Sequence, residues 1–123
     1  MDKKFNGEAY ALISEFMGSV NAMDKATLQA RFGVTEPVLD EICESLNDYF
    51  GRKPDIALAP EGVAFSGKIG SRPYLDLYEM NDANTWGAEC VIWVDGKAAE
   101  PVLHVELFGE GSNLGLRYRY IGS

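Results

Sequence analysis

His104 is the single histidine of the chain, so any imidazole base, acid or metal ligand has to be this one. Glu106 follows two residues later, and Arg117 and Arg119 lie further on with the same spacing. A spacing of two puts side chains on one side of a strand. If the last two extended runs close into a hairpin around Glu110 to Asn113, Leu107 faces Leu116, Glu106 faces Arg117 and His104 faces Arg119. One chemistry open to such a group is proton transfer by His104, Glu106 and Arg119 together. The same pattern also describes ordinary cross-strand ion pairs, worth roughly 0.2–1 kcal/mol each. Other chemistry finds less to work with. A lone histidine rules out a multi-histidine metal site, and Cys43 and Cys90 lack zinc-ligand spacing. A Ser-His-Asp or Cys-His arrangement would have to use His104, and no G-x-S-x-G occurs. Gly67-Lys68-Ile69-Gly70-Ser71 lacks the upstream glycine of a P-loop. No catalytic residue, metal or cofactor is assigned.

These residues sit in or beside the most regular stretch of the chain. Trp86, Ala88, Cys90, Ile92 and Val94 alternate with Gly87, Glu89, Val91, Trp93 and Asp95, the period of a strand with one buried face. A turn containing Asp95-Gly96 follows, and then a second apolar row of Leu103, Val105 and Leu107. Two such runs predict a β-hairpin at the centre of a sheet. The last strand is expected to continue the apolar row through Leu116, Tyr118 and Tyr120. The opposite face then holds Val91, Trp93, Val102, His104, Glu106, Phe108, Arg117, Arg119 and Ile121. This mixture of apolar centre and charged surround fits a protein interface, with Trp93 as its anchor.

Upstream the period changes to that of helices. Asn6 is expected to cap a first one, with Ala9, Leu12, Ile13, Phe16, Met17 and Val20 as its apolar face. Asp24 caps a second, ended by Gly33. Thr35 caps a third, with Pro37 in its first turn and Val34 and Leu39 spaced as a hydrophobic staple. The outer face of that third helix is Glu36, Asp40, Glu41, Glu44 and Asp48. The expected elements are helices over about residues 6–19, 24–32 and 36–50, then strands over about 56–65, 74–80, 86–94, 102–109 and 114–121. Helices followed by antiparallel strands describe one α+β domain over residues 1–123, with helices on one face of the sheet.

The chain has 123 residues and a net charge of -8, which opposes binding to nucleic acid and suits solubility or a basic protein partner. Cys43 and Cys90 each fall on an apolar stripe and read as reduced core residues, consistent with the cytoplasm. Met1-Asp2-Lys3-Lys4 opens like a leader, but Glu8 and Glu15 interrupt the segment that follows. No run approaches the roughly 18 apolar residues of a membrane span.

Two resemblances bear on function. Thr27 to Thr35, followed by Val38 and Ile42, resembles the helix-turn-helix of bacterial regulators, whose second helix enters the major groove with basic or amide side chains. The acidic residues here oppose docking on phosphate, so a helix–turn–helix without DNA binding is expected. Asn21-Ala22-Met23-Asp24 after the first helix, and the long hairpins at the end, resemble the NTF2-like (SnoaL-type) cone domains and their simpler cystatin-like relatives. That resemblance implies a curved sheet around the helices, a pocket between them, and dimers through the outer sheet face. An aromatic-lined pocket would draw on Tyr10, Trp86, Cys90, Tyr118 and Tyr120. The expectation is a non-catalytic interaction protein that forms homodimers through the outer sheet face. A ligand-binding or enzymatic cone comes second and a regulator-like protein third.

Overall fold

Ala9, Leu12, Ile13, Phe16, Met17 and Val20 form one stripe of a helix and are all buried. A computed structural model describes residues 3–110 and 113–123. Met1 and Asp2, and Gly111 and Ser112 of the expected last turn, lie outside the described residues. The helix, α1 (Lys3–Asn21), includes Asn6 in its body rather than capping on it. Phe5 explains the extension, because its ring packs 4.6 Å from Trp86 and gives the first turn a tertiary partner.

Helix α2 (Lys25–Phe32) is capped by Asp24, whose carboxylate accepts from the Thr27 amide at 3.2 Å and the Thr27 hydroxyl at 2.7 Å. Those bonds hold the Asp24 carboxyl below its ordinary range. The helix closes at Gly33, whose φ of +66° lets Gly33 and Val34 return their amides to the carbonyls of Gln29 and Leu28. Helix α3 (Glu36–Phe50) starts with Pro37 in its first turn, and Val34 and Leu39 are both buried beside that start. Phe16 joins the layers. It meets Phe32 of α2 edge-on at 5.4 Å and lies nearly parallel to Tyr118, 6.1 Å away on the last strand.

Residues 56–65 depart from the expected strand. Ala57 makes one bridge to Trp93, and Glu61–Ala64 forms a short helix, α4, after Pro60. Side chains of α1 take the place of a ladder here. The Asn21 amide both donates to the Ile56 carbonyl and accepts from the Ile56 amide at 2.8 Å, and the Tyr10 hydroxyl donates to the Ala59 carbonyl at 2.7 Å. A ribbon of β1 (Lys68–Ile69) and β2 (Arg72–Pro73) precedes the sheet.

The sheet is an antiparallel meander of β3 (Leu75–Glu79), β4 (Thr85–Val94), β5 (Lys97–Phe108) and β6 (Gly115–Gly122), paired in that order. Asp95 and Gly96 form the β4–β5 turn with φ of +54° and +77°, the positive values that a two-residue turn matched to strand twist requires. Strand β5 therefore starts at Lys97, five residues before its expected start at 102. Pro101 hid that start. It falls where β5 runs three residues, 99–101, against Ile92 alone, an irregular stretch that needs no proline amide. The helices pack against one face of this sheet, which gives the expected α+β architecture. Ile13, Phe16, Ile42, Leu46, Cys90, Ile92, Leu103 and Leu107 fill the space between them at 0–1% exposure. Among the described residues no helix is long and apolar enough to cross a membrane.

Candidate functional site

Leu75, Ala88, Cys90, Leu103, Val105, Leu107 and Leu116 face the helices. Strand alternation then turns Asp76, Tyr78, Gly87, Glu89, Val91, Val102, His104, Glu106 and Phe108 to the outer face. Val91 and Val102 pair there and are buried at 1% and 2%, outside the main core. Strand β6 does not keep one alternation throughout. His104 pairs with Tyr120 and Val105 with Tyr118, which leaves Arg119 as an extra residue on β6. This bulge corrects two expectations. Ile121 turns inward, pairs with Leu103 and joins the core, while Tyr120 turns outward and is 50% exposed. It also replaces the expected pairing of His104 with Arg119.

Glu106 is the centre of the outer face. It pairs with Gly87 on one side and with Arg117 on the other, and its side chain is 12% exposed. Arg117 donates to Oε1 at 2.9 Å, and Arg119, two residues on and on the same face, donates to Oε2. One carboxylate thus holds two guanidiniums. Arg117 also lies over the Phe108 ring at 4.9 Å. Arg72 reaches in from the ribbon and binds Glu89 at 3.0 Å. His104, opposite Glu89, stacks on Tyr120 at 4.1 Å with 12° between the ring planes. Burial holds the His104 pKa below its ordinary value; Glu89 opposes that shift and Arg72 adds to it. The Tyr78 phenol is pushed up, first by burial and then by Glu89 and Asp76.

Glycines set the relief of this face. A side chain on Gly87 would strike the Tyr78 ring, and one on Gly115 would strike the Phe108 ring. Each ring therefore lies across a bare stretch of neighbouring backbone, as when an aromatic covers a cross-strand glycine. Tyr78 and Phe108 remain 41% and 38% exposed, so the rings tile the face without being covered.

Of the sequence-predicted face residues, His104, Glu106, Phe108, Arg117 and Arg119 come together with the buried pair of Val91 and Val102. Trp93 stands apart near the β4–β5 turn. Its ring meets Tyr74 edge-on at 5.2 Å, its backbone bridges Ala57, and it packs against the core, so it does not anchor the exposed patch. Asp76, Tyr78, Glu89 and Tyr120 join the face and were missed as site residues. Arg72 was missed as well, and no period in the ribbon sequence points to it.

The pocket candidates do not converge. Trp86 borders a groove of about 290 Å³ with Lys4, Phe5, Glu8, Asn84, Glu110 and Leu114. Tyr10 is tied to Ala59, Cys90 is sealed in the core, and Tyr120 is on the other side of the sheet. The Tyr118 hydroxyl is buried, and burial, with Glu41 adding to it and the Ile121 backbone opposing it, pushes its pKa up to about 12. Burial likewise pushes the Cys90 thiol up, which makes it a packing group rather than a nucleophile. Cys43 and Cys90 are both free. Among the described residues no group of three or more His, Cys, Asp or Glu side chains could hold a metal ion. The acidic row of α3 is exposed, from Glu36, which pairs with Lys25 at 3.2 Å, to Asp48. No family model matches the chain, and no curated protein or solved structure matches it.

Proposed function

We propose that the protein is a non-catalytic interaction protein, and that the outer sheet face associates with a second copy of itself. The supporting observation is a difference in charge. The chain carries 19 acidic and 11 basic residues, so two copies repel each other over most of their surface. The outer sheet face is the exception. Asp76, Glu89 and Glu106 are matched there by Arg72, Arg117 and Arg119, interleaved with the exposed rings of Tyr78, Phe108 and Tyr120. An interface enriched in aromatics and arginine has this composition. His104 and Glu106 are engaged in stacking and ion pairing, which supports recognition rather than proton transfer. The NTF2-like resemblance is part of this proposal, supported by helices on one face of an antiparallel sheet. Cytoplasmic residence is proposed on the two free cysteines.

Sedimentation equilibrium over a wide concentration range tests the reading. A monomer–dimer equilibrium is expected, and Tyr120→Ala should weaken it about tenfold or more while leaving the far-ultraviolet circular dichroism unchanged. A wild type that stays monomeric at high concentration rejects self-association.

A further inference from the structure

The charges of the outer face are balanced in sum but not in place. Arg72 and Glu89 neutralise each other at 3.0 Å. On β6, Arg117 and Arg119 share the single negative charge of Glu106, which leaves that side one positive charge in excess. On β3, none of the described residues forms an ion pair with Asp76. Asp76, Glu89, His104 and Tyr120 lie in one row across the four strands, and Arg119 is next to Tyr120. The excess cation and the unpaired anion therefore stand at the two ends of one row, on opposite edge strands.

We infer that the two-fold axis of the self-associated protein runs parallel to the sheet strands, bringing Arg119 of each copy onto Asp76 of the other. This inference rests on the proposed self-association. Two in-plane axes keep the strands of face-packed sheets aligned. An axis perpendicular to the strands lays β6 on β6 and β3 on β3, so that cation meets cation and anion meets anion. An axis parallel to them lays β6 on β3, and the attractive contact occurs twice, as two-fold symmetry requires. Edge-to-edge pairing is opposed by the same residues. The bulge at Arg119 interrupts the β6 edge, and β3 is five residues long with Asp76 and Glu79 on it.

Charge reversal tests the axis. Asp76→Arg and Arg119→Asp are each expected to weaken dimerisation about tenfold or more, since each brings like charges together across the interface. The double variant restores both contacts with their signs exchanged, and dimerisation should return to within about threefold of wild type. Circular dichroism follows the fold, because Arg119→Asp also removes a partner of Glu106. Should Arg119→Asp unfold, Asp76→Asn and Asp76→Arg give a graded pair, with the larger loss expected for arginine. A dimeric wild type whose affinity is unmoved by Asp76→Arg overturns the axis and leaves self-association standing. A folded double variant that stays as weak as the single variants also overturns it. A monomeric wild type overturns the self-association reading and the axis together.

Discussion

The two faces of the β3–β6 sheet come from one alternating sequence and are built on different physics. The inner face is a dry contact with the helices, where Ile92, Leu103 and Leu107 are fully buried and cohesion is non-directional. The outer face is directional. Glu106 is held at two oxygens, His104 by one ring, and Tyr78 and Phe108 lie on bare backbone at glycines. An inner side chain could be exchanged for another of similar volume with little loss. An outer one could not, because each contact there specifies donor, acceptor or ring geometry. Stability is therefore expected to concentrate on the first face and specificity on the second.

The largest effect expected is on the inner face. Ile92 is 0% exposed, and Ile92→Ala should cost about 2–5 kcal/mol through lost transfer energy and the cavity left behind. Urea denaturation followed by circular dichroism measures it. An unchanged midpoint would break the comparison, since it would mean that the helix–sheet contact contributes nothing at its centre.

A smaller loss is expected on the outer face. Glu106→Ala removes the acceptor of two charged hydrogen bonds, for which about 1–3 kcal/mol is expected. The figure stays below that for a buried ion pair because Arg117 and Arg119 are 61% and 51% exposed and can be solvated once freed. A double-mutant cycle of Glu106→Ala with Arg117→Ala isolates the pair. A coupling indistinguishable from zero would reduce the Glu106–Arg117 pair to solvated charges and leave the directionality of the outer face to its ring contacts.

The inner face was legible in the sequence, and half of the outer one was. Helix-period and strand-period burial identified α1, α3, β4 and the centre of β5, because packing on one face imposes its period on the chain. The pairing of Glu106 with Arg117 followed from counting outward from the last turn. Counting failed at Arg119. A bulge changes the sign of every later residue, and nothing about an arginine between two tyrosines announces one. Tyr120 and Ile121 were exchanged between faces for that reason alone. The short strand β3 gave no signal for Asp76 and Tyr78, since Tyr74 to Met80 mixes polar and apolar residues on both alternating rows. Residues 56–65 looked extended, yet the backbone groups of Ile56 and the carbonyl of Ala59 are satisfied by Asn21 and Tyr10, contacts across more than thirty positions that no local period records.

The smallest expected effect is on the pH dependence of stability, and it comes from one ring of the outer face. Burial of the His104 imidazole disfavours its cation, and Arg72 adds to this while Glu89 opposes it, so its pKa in the fold lies below the ordinary 6.5. Going down in pH, the unfolded chain binds this proton before the folded one does. The contribution of neutral His104 to stability is therefore complete above pH 6.5 and is lost as pH falls through the lower, folded value. His104→Phe keeps a ring for Tyr120 to stack on and removes the proton site. Carboxylates titrate in both proteins and largely cancel in the difference. The stability difference between wild type and His104→Phe should hold constant above pH 6.5 and move against wild type below it. Chemical denaturation at a series of pH values from neutral to mildly acidic reads this directly. A difference that stays flat through the whole range would place the imidazole in water, which would make the His104–Tyr120 stack a loose surface contact.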